Sequence, residues 1–317
     1  MIITRRSALM AALATTAAAA GPALAARRLF GPGGRPLGIN VYMVAGAWSA
    51  DPEGVLKALA AIGFREFETD LSKFAPERIR TAAAAAGMAC ASVSVLPTPL
   101  RGGALSLQSE AGALAGAVQA AGADYLVCTL FPLPPGVEMR PQAGEAVDQM
   151  LARIARSLTA DHWKRAAELY NAKGEALRRE GVKLAYHNHN PEFAPLGETS
   201  GLAILLEHTD PKAVSFEMDA GWVVAAGHDP VELLRAYPGR FRLMHVKDIA
   251  PTQQFNSVFK ADTLEVGSGI IDWKRVLPAA VASGVKHFSI EQEPPYSRMP
   301  PLEAARKGYE YLSGLEV

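Results

Sequence analysis

Short apolar runs alternate with longer stretches of helical periodicity along almost the whole chain. The runs with strand character are Leu37–Val44, Phe64–Glu68, Ala89–Leu96, Tyr125–Leu130, Val182–His187, Val214–Met218, Phe241–Val246 and His287–Glu291. Between and after them the 3.6-residue pattern predicts helices over Pro52–Ala61, Pro76–Ala86, Gln108–Ala121, Val147–Arg179, Gly201–His208, Pro230–Tyr237, Trp273–Ala282 and Pro301–Leu312. Asp51-Pro52, Asp229-Pro230 and Asp272-Trp273 are helix-start signals, and Gly63, Gly87, Gly122, Gly181 and Gly284 close helices ahead of the next strand. The stretch from Pro132 to Glu180 is long enough for a loop and two helices, and the loop is expected to form part of a substrate wall.

Eight βα units in a chain of this length fit a single (β/α)8 TIM barrel, for which about 250 residues is typical. A doubly wound open sheet is the runner-up, but it would carry a glycine-rich phosphate loop after its first strand, and Ala45-Gly46-Ala47-Trp48 stands there instead. The expected organisation is an export signal over residues 1–25, a Gly/Pro-rich lead-in over 26–36 and one barrel domain over 37–317. Arg5-Arg6-Ser7-Ala8-Leu9, an alanine-rich apolar stretch and Ala23-Leu24-Ala25 read as a twin-arginine signal cut after Ala25, which predicts a periplasmic protein exported already folded.

Composition narrows the function. Hydrophobic residues make up 49% of the chain, which supports a large core, and the formal net charge is +0. Without a basic stripe to meet phosphates, nucleic acid is not the expected partner. No segment after the signal has the unbroken apolar length of a membrane span, so stable membrane insertion is not expected. Oligomerisation is left open. The only two cysteines, Cys90 and Cys128, fall in buried strands and read as packed thiols.

Chemistry concentrates where apolar runs stop. Tyr186-His187-Asn188-His189-Asn190, Glu217-Met218-Asp219, His245-Val246-Lys247-Asp248 and Glu291-Gln292-Glu293 each close a strand. In a barrel the C-terminal strand ends share one face, and catalysis sits there. Side chains two apart on a strand share a face, which pairs Glu217 with Asp219, His245 with Lys247, Glu291 with Glu293, His187 with His189 and Glu66 with Glu68. A mixture of imidazole and carboxylate suits Zn²⁺, Mn²⁺, Co²⁺ or Fe²⁺. Asp219, His245 and Glu291 are the expected metal ligands, with Glu293 the competitor of Glu291 on the last strand and His187 or His189 as a fourth ligand. Glu291 is also a candidate base, alongside His187, and Lys247 is placed to neutralise an oxyanion or to pair with Asp248. Glu68, Asn188, Trp222 and Glu293 are candidate substrate contacts. Val266-Gly267-Ser268-Gly269 reads as a tight turn shaping the site.

These motifs in this order, with Glu192-Phe193, Asp219-x-x-Trp222, Ala226-Gly227-x-Asp229-Pro230 and Ile271-Asp272-Trp273, resemble the sugar phosphate isomerase/epimerase group. That group comprises xylose isomerase-like TIM barrels related to inosose dehydratase and endonuclease IV, and the resemblance runs from about Leu37 to Leu312. It implies a divalent metal, Mn²⁺, Co²⁺, Zn²⁺ or Mg²⁺, on Asp219, His245 and Glu291, and a small carbohydrate substrate. Many such proteins take a first metal carboxylate from the fifth strand; here the His-Asn-His tract stands in its place, as in inosose-dehydratase-like members. The expected activity is a metal-dependent isomerase or epimerase abstracting a proton beside a carbonyl. The alternatives are a lyase or hydrolase on keto-sugars, 3-keto-glycosides or cyclitols, and a non-catalytic sugar-binding protein.

Overall fold

The computed structural model describes residues 28–317, apart from 73, 100–103, 135, 138 and 297. The export signal expected over residues 1–25 lies outside the described residues. Eight parallel strands close into a barrel: β1 (Gly38–Asn40), β2 (Glu66–Asp70), β3 (Ala89–Val95), β4 (Tyr125–Cys128), β5 (Lys183–His187), β6 (Val214–Asp219), β7 (Phe241–Val246) and β8 (His287–Ile290). Neighbours in sequence are neighbours in the barrel, and β1 closes it by pairing with β8. Helices pack outside. The main apolar core lies between them and the strands, whereas Tyr125, Val127, Ala185 and Leu243 form a separate small cluster. Their alternation with core-facing neighbours places that cluster inside the barrel.

Most boundaries shift by one to three residues (the second strand is Glu66–Asp70, not Phe64–Glu68) and an unexpected short helix covers Ala220–Ala225; two differences are larger. The first strand is only Gly38–Asn40, because Asn40 caps the turn Val41–Val44 through its side chain and a helix over Ala45–Ala50 follows. The helix expected over Val147–Arg179 is two, Val147–Arg156 and Ala160–Arg179, the second started by Thr159, whose hydroxyl accepts from His162 N. The aspartate start signals act as read: Asp51, Asp229 and Asp272 each accept a backbone N–H of the helix they precede. Gly87 and Gly122 take left-handed conformations that end their helices. Cys90 and Cys128 are free and buried. Although β3 and β4 pair, Cys128 lies opposite Val95, five residues along β3 from Cys90, or roughly 16 Å at a strand's rise.

Register brings the strand-end residues together. His187 pairs across from Glu217, Asp219 from His245, and His245 from Ser289. The register shifts at two places: Ala91 on β3 is passed over between the pairs Phe67–Cys90 and Glu68–Ser92, and Arg242 on β7 between the pairs Phe216–Phe241 and Glu217–Leu243. Each extra residue makes a bulge on its own strand. The residue paired just past each bulge, on the opposite strand, is a buried glutamate.

Candidate metal and acid-base site

At the C-terminal mouth of the barrel three donor atoms converge. Asp219 Oδ2 lies 3.8 Å from His187 Nε2 and 3.7 Å from His245 Nδ1. His187, Asp219 and His245 each offer one ligand atom to a group lying within 4.8 Å. The far side of each imidazole meets a carboxylate: His187 Nδ1 is 2.7 Å from Glu217 Oε2, and His245 Nε2 is 2.6 Å from Glu68 Oε2 and 3.4 Å from Glu217 Oε2. Glu68, Glu217 and His245 therefore form a second acidic group below the first, but its shortest contact is a hydrogen bond with no room for an ion. The upper group is different. Its separations approach those of two ligands held about 2.0–2.2 Å from one ion. His245 Nδ1 is also buried without a hydrogen-bond partner, and Asp219 Oδ2 meets only the Lys247 ammonium besides the two imidazoles. The residues present thus fit a divalent metal with one carboxylate and two imidazoles.

Lys247 lies next to this group. Its buried ammonium donates to Glu293 Oε1 at 2.9 Å and makes ion-pair contacts with Asp219 Oδ2 at 2.7 Å and Glu291 Oε2 at 2.6 Å. The stem crosses Gly221, where an added Cβ would come within 2.7 Å of Lys247 Cγ and Cδ, and the ammonium sits 4.7 Å from the centre of the Trp222 ring. Burial opposes its charge, but Asp219, Glu291 and Glu293 together hold the ammonium well above the usual lysine range. Burial likewise opposes ionisation of Asp219, and Lys247 with the two histidines overcomes it, keeping the carboxyl below its ordinary range. Glu291 goes the other way: burial raises it to about 7 against the pull of Lys247. Burial and then the neighbouring imidazole His245 push His187 down, so it is neutral. Burial disfavours the charge on His245, but Glu217 and Glu68 outweigh it and raise its pKa. Burial and Glu68 raise Glu217.

Of the residues singled out from sequence, Asp219, His245 and His187 meet in the donor group. Glu291 and Glu293 meet on Lys247 rather than in that group. His189 stands apart from it: its Nδ1 is 3.8 Å from Glu192, and its ring packs on Trp222 and Phe259. Asn188 uses its amide on the backbone of Asp219, accepting from Asp219 N at 3.2 Å. Glu68 reaches His245, not the mouth. Trp222 is buried beneath Lys247. Asp248 does not pair with Lys247. It accepts from the backbone N–H groups of Gly267, Gly269 and Ile271 and from Trp273 Nε1, which holds the glycine turn in place.

Two buried acids were not among the candidates. Glu217 is one, although its parity with Asp219 was visible. Glu192 is the other, accepting from Tyr186 Oη at 2.7 Å and His189 N at 3.2 Å. Asn256 and Phe259 pack against the tract that follows β5. Asn190 donates to Asn256 O at 2.9 Å and accepts from Phe259 N at 3.0 Å. Phe259, at φ 57°, packs on His189 and on Phe131, so the segment after β4 contributes to the wall.

The barrel and its mouth define the class. Residues 56–315 match the xylose isomerase-like TIM barrel family, and the chain belongs to it. Its relatives include the inosose dehydratase of Geobacillus thermodenitrificans, 30% identical over 167 residues, which span 49% of this chain and 55% of that protein. The chain thus spans about half the length of the curated relatives it matches. Among solved structures, a sugar phosphate isomerase/epimerase from Parabacteroides distasonis superposes with a TM-score of 0.66 at 22% identity, covering 89% of this chain and 94% of that one. The IOLI protein, solved with a bound zinc atom, superposes with a TM-score of 0.58 at 15% identity over 88% of this chain and 98% of its own.

Proposed function

We propose that this protein is a divalent-metal enzyme that abstracts a proton beside a carbonyl of a small carbohydrate. The observation that carries the reading is the convergence of His187 Nε2, Asp219 Oδ2 and His245 Nδ1 beside the Glu291–Lys247 pair. A bound ion there would supply a Lewis acid that polarises a carbonyl. Metal identity is open among Zn²⁺, Mn²⁺, Co²⁺ and Mg²⁺; the zinc of the IOLI protein supports the first.

The chain's own residues supply the rest. Glu291, raised to about 7, is matched to accept a carbon-bound proton near neutral pH. Lys247 presents a fixed positive charge to the oxygen on which negative charge develops, without reorganisation. His189 and Phe259, backed by the buried Trp222, would offer an apolar face to the ring of a sugar or cyclitol and help exclude water. Glu293 remains a proposed substrate contact, and His189, standing apart from the donor group, joins it.

Two outcomes branch from one abstraction. Return of the proton gives isomerisation or epimerisation, and loss of a β-substituent gives a lyase. The inosose dehydratase relatives favour the lyase branch. Incubation of metal-loaded protein in deuterated water with keto-sugars, inososes and 3-keto-glycosides, read by NMR, tests both. Deuterium at one carbon with the skeleton kept is the isomerase or epimerase result; release of water or an aglycone is the lyase result. No exchange with any of them, with metal bound, sinks the enzyme reading in favour of a sugar-binding protein.

A further inference from the structure

We propose that Glu217 and Glu68 are positioning residues that fix which nitrogen each histidine presents, so that His187 binds a metal through Nε2 and His245 through Nδ1. The inference rests on the metal reading above and deepens it.

The geometry is one-sided for each ring. Glu217 Oε2 lies 2.7 Å from His187 Nδ1, and Glu68 Oε2 lies 2.6 Å from His245 Nε2. The opposite nitrogens are the ones that face Asp219 Oδ2, at 3.8 Å and 3.7 Å. The two rings therefore point opposite atoms at one spot, with centroids 4.7 Å apart. An imidazole bound to a metal through one nitrogen carries its proton on the other, and a carboxylate there fixes tautomer and ring orientation. Both carboxyl groups are almost fully buried, where an unpaired polar group is costly, so each needs the imidazole it meets. Glu217 also approaches His245 Nε2 at 3.4 Å and so braces both rings. The only register shifts among the described barrel strands, bulges at Ala91 on β3 and Arg242 on β7, set the pairing of Glu68 and of Glu217 with the strand beside each. The second lies on the strand that carries His245, three residues before it.

The test uses ¹⁵N-labelled protein and zinc alone, with no substrate. Long-range ¹H–¹⁵N spectra report the protonated and metal-bound nitrogens of each ring. In the zinc-loaded protein the expected pattern is zinc on Nε2 and a proton on Nδ1 for His187, and the reverse for His245. Zinc affinity from chelator competition should fall 10–100-fold in Glu217→Ala and in Glu68→Ala. Glu217→Gln keeps an acceptor for the His187 proton and should retain the pattern with a smaller loss. Glu66→Ala, which removes the half-buried partner of His287 elsewhere in the barrel, should leave zinc affinity unchanged. Zinc bound with the same nitrogen of both rings, or affinity within twofold of wild type in both alanine variants, overturns the proposal while leaving the metal reading intact. No zinc bound by the wild-type protein overturns both. Should the alanine variants not fold, the wild-type and Glu217→Gln spectra still decide it.

Discussion

Replacing Lys247 by Met keeps the stem that lies over Gly221 and removes only the charge. The side chains of Asp219 and Glu291 are 0% and 4% exposed, so neither carboxylate recovers water when the ammonium goes. Removing one partner of a buried ion pair costs about 3–5 kcal/mol. For a chain of this size each kcal/mol moves the melting temperature by roughly 2–4 °C, so metal-free Lys247→Met should melt on the order of 10 °C below wild type. The pH dependence has a definite sign. Lys247 has a folded pKa above its unfolded value, so its contribution is fully present at neutral pH and lost only at strongly alkaline pH. In the variant, Asp219 and Glu291 can relieve their burial by taking protons, so the gap to wild type should narrow as pH falls towards 5. Zinc should close more of the gap in the variant than it adds to wild type, since a cation then meets carboxylates that have none. Differential scanning fluorimetry from pH 5 to 9, with EDTA and with zinc, measures all three effects. A variant that melts within about 1 °C of wild type in EDTA at pH 8 would refute the idea that this ammonium holds the carboxylates.

Glu291→Gln should abolish deuterium exchange, because an amide cannot accept the proton, and metal content measured on the same sample separates this from a lost ligand. With Glu291 raised to about 7, kcat/KM in wild type should rise with pH up to that region and level above it, because the ionised form is the base; a flat acid limb would move the base elsewhere. Asp248→Ala strands the backbone N–H groups of Ile249, Gly267, Gly269 and Ile271 and the Trp273 indole, so amide exchange over residues 267–273 should quicken by at least tenfold, measured by hydrogen–deuterium exchange; unchanged exchange there would refute the tie.

The barrel was legible because the strands announce themselves as apolar runs and many of the helices between them carry an aspartate start or a glycine stop. What local pattern missed was local competition. Asn40 turns the chain into a short helix before the first strand can extend, and Thr159 restarts a helix inside an unbroken periodic stretch. At the site, parity correctly aligned Asp219 with Glu217 and His245 with Lys247, since alternation is a property of one strand. Parity says nothing about which strand-end residues meet. That depends on register between strands, including the two bulges at Ala91 and Arg242, which leave no mark in sequence. Hence Glu68 reads from sequence as a substrate contact and is found on an imidazole, and Glu291 is found on Lys247.

The strand Phe241–Val246 and the two residues beyond it serve two clients. One face presents His245 and Lys247 to the mouth, and Asp248, one position on, ties down the turn at Gly267–Gly269 on the other side. A slip of one residue would turn Val246 into the acidic interior and strand Asp248 in the wrong direction, so both sides penalise the same error. The turn thereby acts as a proofreader of strand alignment: a loop with no contact to the donor atoms reports on, and protects, where they stand. Changes in that glycine turn that look remote from chemistry should therefore surface as misplaced ligands, and a search for variants that alter metal selectivity without touching a ligand has a natural starting point there.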